Sequence, residues 1–421
     1  METDALDREL DRPILLVEYF VGGGLPNLTS SLILEGYAML KAAAEALTEA
    51  GFKLIVAVDR RVEPFLKLPR LRRIKAEPGG LLKTLKKEAP ASYALLIAPP
   101  MDGAHANLTS LMEELGIEVL GPSTNKLIKV LDKAELARSL NALGVRSPKT
   151  IELDPIIEES VHEAGEKLGY PLVIKPVDGA GCEGLMIVGS SRQIKEAVKE
   201  AKTYARRYIA QEMVKGVHAS VSLIADGRRA KALALNAQQL LWKKLPSHPS
   251  YEGGYTPLIH RSSDEALKEA EKVVEYFGLK GYVGIDLVLS DEGPFIVEVN
   301  PRLTTSFIAL TSTISPSHLG RCLVNVTLGR LDPSQAPFMT RHVCALRKLK
   351  TPIDLTLTPL LIERLSSTPG VYVTTPLTGR VPRGESIALL KAEASNLRSA
   401  VARLGGITRK VESIIKAKEF S

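Results

Sequence analysis

The order of apolar runs predicts a chain that begins as an α/β layer and continues as α+β subdomains. Three observations carry this. Strand-like runs alternate with helix-like periodicity up to about Asn125, the pattern of parallel strands joined by helical crossovers. From Tyr208 to Leu328 strand-like runs follow one another with one helix between them, the pattern of antiparallel pairing. The 421 residues are 45% hydrophobic and 24% charged, enough apolar material for more than one core.

Pro13–Phe20 reads as the first strand, followed by Gly22-Gly23-Gly24 and a helix with Leu34, Tyr37 and Leu40 at helical spacing. Strands at Lys53–Val58, Tyr93–Ala98 and Glu118–Gly121 complete a first α/β domain, residues 12–125. A helix over Lys126–Leu143 runs to Gly144, a C-cap signal. Strands at Tyr170–Pro176 and Gly184–Val188 flank a glycine-rich loop, and a helix follows over Ser191–Tyr204. These form a small α+β lid, residues 126–207. Strands at Tyr208–Val214, Ala219–Ile224, Lys231–Asn236, Val283–Leu289 and Pro294–Val299, with a helix over Asp264–Phe277, form an antiparallel unit, residues 208–330. A small α+β extension, residues 339–421, has strands at His342–Leu346 and Gly370–Thr374 and a last helix over Ala392–Leu404.

Composition narrows the function classes. No apolar run is long and charge-free enough to cross a bilayer, and Met1–Asp11 is acidic and polar, unlike a signal or transit peptide. A cytoplasmic protein without membrane partners is expected. Cys182, Cys322 and Cys344 lie far apart, so neither a disulfide framework nor a zinc site is expected. The net charge of +7 is spread without a basic tail or an aromatic-rich basic stripe. Charge gathered around a polyphosphate accounts for it without a nucleic-acid partner.

The strongest chemical signal lies near residue 300. Gly281–Leu289 and Phe295–Arg302 are joined by the turn Ser290–Pro294, so Asp286 can stand opposite Glu298. Alternation along a strand puts Glu298 and Asn300 on one face. Asp286, Glu298 and Asn300 then form a cluster of oxygen donors, as a hard cation such as Mg2+ or Mn2+ on nucleotide phosphates requires. Arg302 shares that face and can stabilise a phosphoryl group. The bland alternative, a hairpin with solvent-facing acids, does not explain three such donors and an arginine inside apolar strands.

A second signal is Lys175 followed by Asp178, Gly179, Ala180, Gly181, Cys182 and Gly184. Glycines let backbone N–H groups approach phosphate oxygens, and the lysine adds positive charge. The lysine precedes the glycines and no GK[ST] follows, so this is not a Walker loop. Lys126, Lys129 and Lys133 share one face of the expected helix and read as a solvated face. Ile209–Val214 reads as an ordinary strand. Cys182 has no histidine partner in sequence, which argues against a nucleophile.

Taken in order, these four segments resemble the ATP-grasp superfamily over roughly Pro13 to Leu328. The resemblance implies the ATP-grasp fold, with ATP held between two antiparallel sheets. It makes Lys133 and Lys175 the nucleotide lysines and Asp178 to Gly184 the phosphate-covering loop. Glu212, Met213 and Val214 become the adenine hinge. Asp286, Glu298 and Asn300 become the magnesium ligands, with Arg302 and Lys175 the catalytic pair. Where many members carry a ribose-binding Glu after the hinge, this sequence has His218. Val17–Phe20, Glu35–Tyr37, Ala219–Ile224, Leu235–Gln238, Tyr251–Gly254 and Asn300–Ser306 resemble more narrowly the tyramine–glutamate ligases of methanofuran biosynthesis.

The implied reaction joins a carboxylate, glutamate by that likeness, to an amine such as tyramine through an acyl phosphate, with release of ADP and phosphate. Asn236 and Gln238 are expected to line the acceptor site, and Tyr251 and Gly253 to sit in a flexible loop over the substrate. Partners are small molecules, and a homodimer is the oligomer the reading allows. One alternative is an ATP-grasp ligase for another amino acid, carbamate or bicarbonate. An alternative of another class is a nucleotide-binding regulatory protein without catalysis. The intact set Asp286, Glu298, Asn300 and Arg302 argues against the last.

Overall fold

The computed structural model describes residues 12–69, 71–179, 184–203, 207–242, 249–336 and 342–417. The first layer is a parallel sheet of β1 (Ile14–Glu18), β2 (Leu54–Asp59), β3 (Arg72–Ala76), β4 (Tyr93–Ile97) and β5 (Glu118–Val119), in the order 3-2-1-4-5. Helices α1 (Ser30–Glu49), α2 (Leu81–Glu88) and α3 (Ala104–Glu114) cover it. β1 is buried along its whole length. Ile14 and Leu16 face the α1 core, while Leu15 and Val17 face the core shared with α2 and α3. Burial on both faces explains why β1 reads as an unbroken apolar run. β3 escaped the sequence reading because it is an edge strand, Arg-Arg-Ile-Lys-Ala, with charges at the positions that blunt such an edge.

The single helix expected over Lys126–Leu143 is two, α4 (Thr124–Leu131) and α5 (Lys133–Ala142). Asp132 breaks it. Its backbone is extended, and its carboxylate accepts from the N–H groups of Ala134 (2.9 Å) and Glu135 (3.0 Å), an N-cap. The break also undoes the expected lysine face. Lys126 donates to the carbonyl of Gly278, whereas Lys133, now the first residue of α5, turns inward and is 5% exposed. Asp132→Ala is expected to destabilise the fold by about 1–2 kcal/mol, since it removes the cap and the 2.9 Å pair with Arg207. Urea unfolding checks this, and an unchanged midpoint would refute it.

The lid sheet is antiparallel. It comprises β6 (Thr150–Leu153), β7 (Leu172–Pro176), β8 (Met186–Val188) and β9 (Tyr208–Glu212) in the order 6-9-7-8, backed by α6 (Glu158–Leu168) and α7 (Ile194–Ala201).

The large sheet begins with β10 (Val217–Asp226), β11 (Ala230–Leu241) and β12 (Ser250–Thr256). After α8 (Ser263–Tyr276) come β13 (Lys280–Ser290) and β14 (Gly293–Asn300), then α9 (Ser306–Thr313) and α10 (Pro316–Thr327). It does not stop there. β15 (Val343–Lys350) pairs with β12, and β17 (Val371–Thr374) and β19 (Ser386–Ala394) follow. The order is 14-13-10-11-12-15-19-17. The strands expected as an extension after 339 therefore continue the sheet begun before 330. β16 (Leu355–Leu357) and β18 (Gly379–Val381) form a separate pair, with α11 (Pro359–Ser366) between β16 and β17. The helix expected over Ala392–Leu404 starts later, as α12 (Leu397–Lys416). Asn396 caps it by accepting from Ser399 N–H at 2.9 Å. Ala, Leu, Lys and Glu in β19 favour helix, but pairing with β15 and β17 overrides that preference.

Residues 251–254, expected as a flexible loop, lie inside β12. A Cβ at Gly253 would meet the Leu346 carbonyl at 2.2 Å, and one at Gly254 the Ala237 carbonyl at 2.1 Å. These glycines serve close strand approach rather than mobility.

Candidate active site

A cleft of about 600 Å3 lies where lid, large sheet and first layer meet. The lid contributes Val173, Lys175 and Gln211, and the large sheet His218, Gln238, Asp286 and Glu298. Glu18 and Ile97 come from the first layer, and Lys348 and Lys350 from β15.

Asp286 and Glu298 are partners in the β13–β14 register, and Asn300 stands opposite Gly284. The register shifts after Asp286, since Leu287 pairs with Ile296. Val297 is thus an extra residue, and both Val297 and Glu298 line the cleft. A bulge of this kind re-aims side chains beside a site. Gln238 Nε2 donates to Asp286 Oδ1 at 2.7 Å, and Asn300 Nδ2 to Asp286 Oδ2 at 2.9 Å. Arg302 Nη2 donates to Asn300 Oδ1 at 3.3 Å. Lys133 Nζ donates to the Gly179 carbonyl at 2.6 Å and lies 3.4 Å from Glu298 Oε1. Three expected oxygen donors, the arginine and one lysine therefore converge. Lys175 is 4% exposed on β7 and lines the same cleft.

Burial pushes the Asp286 carboxyl up to about 7, and the neighbouring Glu298 carboxylate adds to this. Gln238, Arg302 and Asn300 act in the other direction. Two crowded carboxylates with an amide oxygen fit a hard divalent cation, whose charge relieves their repulsion. The described residues include no cluster of three His, Cys, Asp or Glu side chains suited to a metal. A cation here would need further oxygens from a ligand, as nucleotide-bound magnesium has.

Of the residues expected as the adenine hinge, Glu212 is engaged with Lys149. Its N–H donates to the Lys149 carbonyl at 3.1 Å, and its Oε1 accepts from Lys149 N–H at 2.8 Å. Met213 and Val214 line the cleft. His218 also lines it, with its ring 5.2 Å from that of Trp242, and burial lowers its pKa, so the imidazole is neutral.

Other expectations fare differently. Asn236 does not reach the cleft. It is 2% exposed, and its amide donates to Ser220 O (3.0 Å), Ser220 Oγ (3.3 Å) and Ser222 Oγ (3.0 Å). Its Oδ1 accepts from Thr256 at 2.8 Å. Ser306, the first residue of α9, reaches this part of the sheet, its Oγ 3.2 Å from Ser220 Oγ. Asn236 therefore ties β10, β11 and β12 together, and Gln238, one step along the same face, reaches the site. Tyr251 lines the cleft, but the buried Gly253 does not. Asp178 is exposed, and Gly184 is buried with φ 66°. Ala180, Gly181 and Cys182 lie outside the described residues.

The sequence reading assigned no role to Glu18, Glu35, Lys348 or Lys350. Lys348, 9% exposed, pairs with Glu35 and lies 5.2 Å over the Tyr251 ring. Lys350 pairs with Glu252. The signals were present: Glu18 ends a strand of apolar residues, and Lys348 and Lys350 alternate along Ala345–Lys350.

The sequence matches the ATP-grasp domain family over residues 130–306. It is 25% identical to the tyramine–L-glutamate ligase of Methanocaldococcus jannaschii over 311 residues, 73% of this chain and 87% of that one. It is 30% identical to the ligase of the same name from Methanocaldococcus fervens over 239 residues, 56% of this chain and 68% of that one. Among solved structures, N5-carboxyaminoimidazole synthase from Aspergillus clavatus, in complex with ADP and 5-aminoimidazole ribonucleotide, superposes with a TM-score of 0.70 at 14% identity. That likeness covers 96% of this chain and 99% of the other, so the common fold includes the strands after 339.

Proposed function

The chain belongs to the ATP-grasp superfamily, and we propose that it couples a carboxylate to an amine through an acyl phosphate, with glutamate and tyramine as the substrate pair. Its reaction class, ADP-forming carbon–nitrogen ligation, goes with the family. The observation that carries the proposed mechanism is the convergence of Asp286, Glu298, Asn300 and Arg302 on one cleft, with Lys133 3.4 Å from Glu298. The substrate pair rests on the names of the two relatives.

Backbone groups of Glu212 to Val214 bind adenine, and neutral His218 takes the ribose hydroxyls. Lys133, Lys175 and the 178–184 loop hold the phosphates. Asp286, Glu298 and Asn300 would hold magnesium or manganese, which neutralises triphosphate charge when bound. The substrate carboxylate oxygen forms a bond to the γ-phosphorus as the β–γ bridging bond breaks and ADP leaves. Arg302 stabilises the charge on the transferring phosphoryl group and then on the acyl phosphate. The amine nitrogen next bonds to the activated carbonyl carbon, and phosphate departs with the electrons of the C–O bond. Gln238 orients Asp286, and Tyr251 walls the substrate end.

Phosphate release measured with L-glutamate, other amino acids and bicarbonate against tyramine and other amines, followed by mass analysis, tests this. Glutamyl-tyramine is the expected product. A different coupled product would retire the substrate pair, and no ATP turnover with any pair would retire the ligase mechanism. His218→Ala is expected to raise KM for ATP about tenfold with kcat little changed, as for loss of one or two hydrogen bonds. An unchanged KM for ATP would remove His218 from the nucleotide site.

A further inference from the structure

The reaction proposed above leaves one requirement unassigned. An amine is an ammonium ion at neutral pH, and its nitrogen can attack only after losing a proton. The substrate end of the cleft therefore needs an acid to hold the ammonium and a base to take the proton.

Most of its carboxylates are already engaged. Asp286 and Glu298 belong to the cation set. Glu35 is paired with Lys348, and Glu252 with Lys350. Glu385 accepts from Ser31 at 2.7 Å and is partly open to solvent. Glu18 differs. It lines the cleft yet is 1% exposed, and among the described residues it accepts hydrogen bonds from backbone N–H groups alone, Val21 at 2.8 Å and Phe20.

Its place in the fold is equally specific. Glu18 ends β1, and the sheet order 3-2-1-4-5 reverses between β1 and β4. The crevice at the carboxyl ends of strands where order reverses is where open parallel sheets bind ligands. Ile97 at the end of β4 lines the cleft beside it. On the other side Gly36 of α1 leaves the space: a Cβ there would lie 2.5 Å from the Glu18 carboxyl. Arg302 lines the same cleft and acts on Glu18 electrostatically.

We propose that Glu18 binds the ammonium form of the amine substrate and accepts the proton that frees its nitrogen. This rests on the acyl-phosphate reading above. One N–H bond of the ammonium breaks, and its proton passes to a Glu18 oxygen. The freed electron pair forms the C–N bond to the acyl carbon as the C–O bond to phosphate breaks. The departing phosphate takes the second N–H proton, leaving a neutral amide. Glu18 returns its proton to water when product leaves.

The electrostatics suit this exchange. Burial pushes the Glu18 carboxyl up to about 8, against the backbone N–H of Val21 and the Arg302 guanidinium, which lower it. A base close in proton affinity to its partner amine transfers protons at least cost. Among neighbouring charges, Glu35 on α1 is neutralised by Lys348 of β15. His105, packed near Arg302, is kept uncharged by burial, which pushes it down to about 3.

The test uses the full chain with ATP, L-glutamate and either tyramine or hydroxylamine, a nucleophile uncharged at neutral pH that traps acyl phosphates as hydroxamates. Glu18→Gln is expected to lower kcat/KM for tyramine about 100-fold or more. Hydroxamate formation should stay within about threefold, because neutral hydroxylamine attacks without first losing a proton and sheds its one N–H proton to the departing phosphate. The pH profile should change shape too. With wild type, kcat/KM for tyramine should fall below about pH 8, where Glu18 is protonated, and again above the amine's own pKa. With the variant it should rise steadily until the amine is free. Equal losses with both nucleophiles, or an unchanged pH profile, would overturn the role of Glu18. Absence of hydroxamate with wild type would instead overturn the glutamate acyl-phosphate reading itself.

Discussion

Replacing Arg302 with methionine is expected to slow turnover about a thousandfold while KM for ATP changes only a few-fold. Arg302 lies two residues past the end of β14 and is held by its own surroundings. Its Nη1 donates to the Leu303 carbonyl at 3.2 Å and its Nη2 to Asn300 Oδ1 at 3.3 Å. Burial pulls its pKa down, while the carboxylates of Glu298, Asp286, Glu18 and Glu35 raise it. A guanidinium stays charged under such conditions. A fixed cation among preset partners stabilises charge that develops during transfer without reorganising. In the proposed mechanism nucleotide binding draws instead on Lys133, Lys175 and residues 212–214, so affinity for ATP should survive. Arg302→Lys keeps the charge but loses the planar fork, and should fall between wild type and Arg302→Met. Phosphate-release kinetics on all three proteins check the order. Turnover of Arg302→Met within tenfold of wild type would take the residue out of the chemistry.

The convergence of the acids, amide and arginine on one cleft was legible in sequence because it is local. Asp286, Glu298, Asn300 and Arg302 belong to one hairpin, where period-two spacing and a short turn fix who faces whom. The apolar strands β1, β2 and β4 were legible for the same reason. What escaped was set by distant pairing. Asn236 and Gln238 look equivalent in sequence, yet Asn236 is taken up by Ser220, Ser222 and Thr256 of neighbouring strands while Gln238 reaches Asp286. Spacing alone puts Lys133 on a solvated face, and only the family resemblance singles it out; Asp132 breaks the helix and turns it inward. Gly253 and Gly254 read as a loop because glycine is rare inside strands, but here two neighbouring strands approach too closely for a side chain. Lys348 and Lys350 lie on a strand that joins the sheet beyond β12, and no local pattern announces that partner.

That last pairing has a large consequence. A chain ended after Ala336 is expected to lose cooperative folding altogether and to accumulate as insoluble protein. Cys344, Leu346, Tyr372, Val373 and Leu389, all beyond that point, are buried in the same core as Ile14, Leu34 and Phe307. Five such side chains bury about 10 kcal/mol of favourable transfer free energy, comparable with the whole net stability of a domain. Polar ties would go as well: Lys41 Nζ donates to the Tyr372 carbonyl at 2.9 Å, and Tyr372 Oη to Glu45 at 3.0 Å. β12 would become an exposed edge along Gly253–Thr256, a template for association. Solubility and the thermal transition of residues 1–336 against the full chain decide the matter. A soluble fragment with a sharp transition and intact ATP binding would mean that the sheet is complete at β12. Failure to fold would mean that β15, which carries Lys348 and Lys350, belongs to the folding unit, and that the part of the cleft these lysines line cannot be built without it.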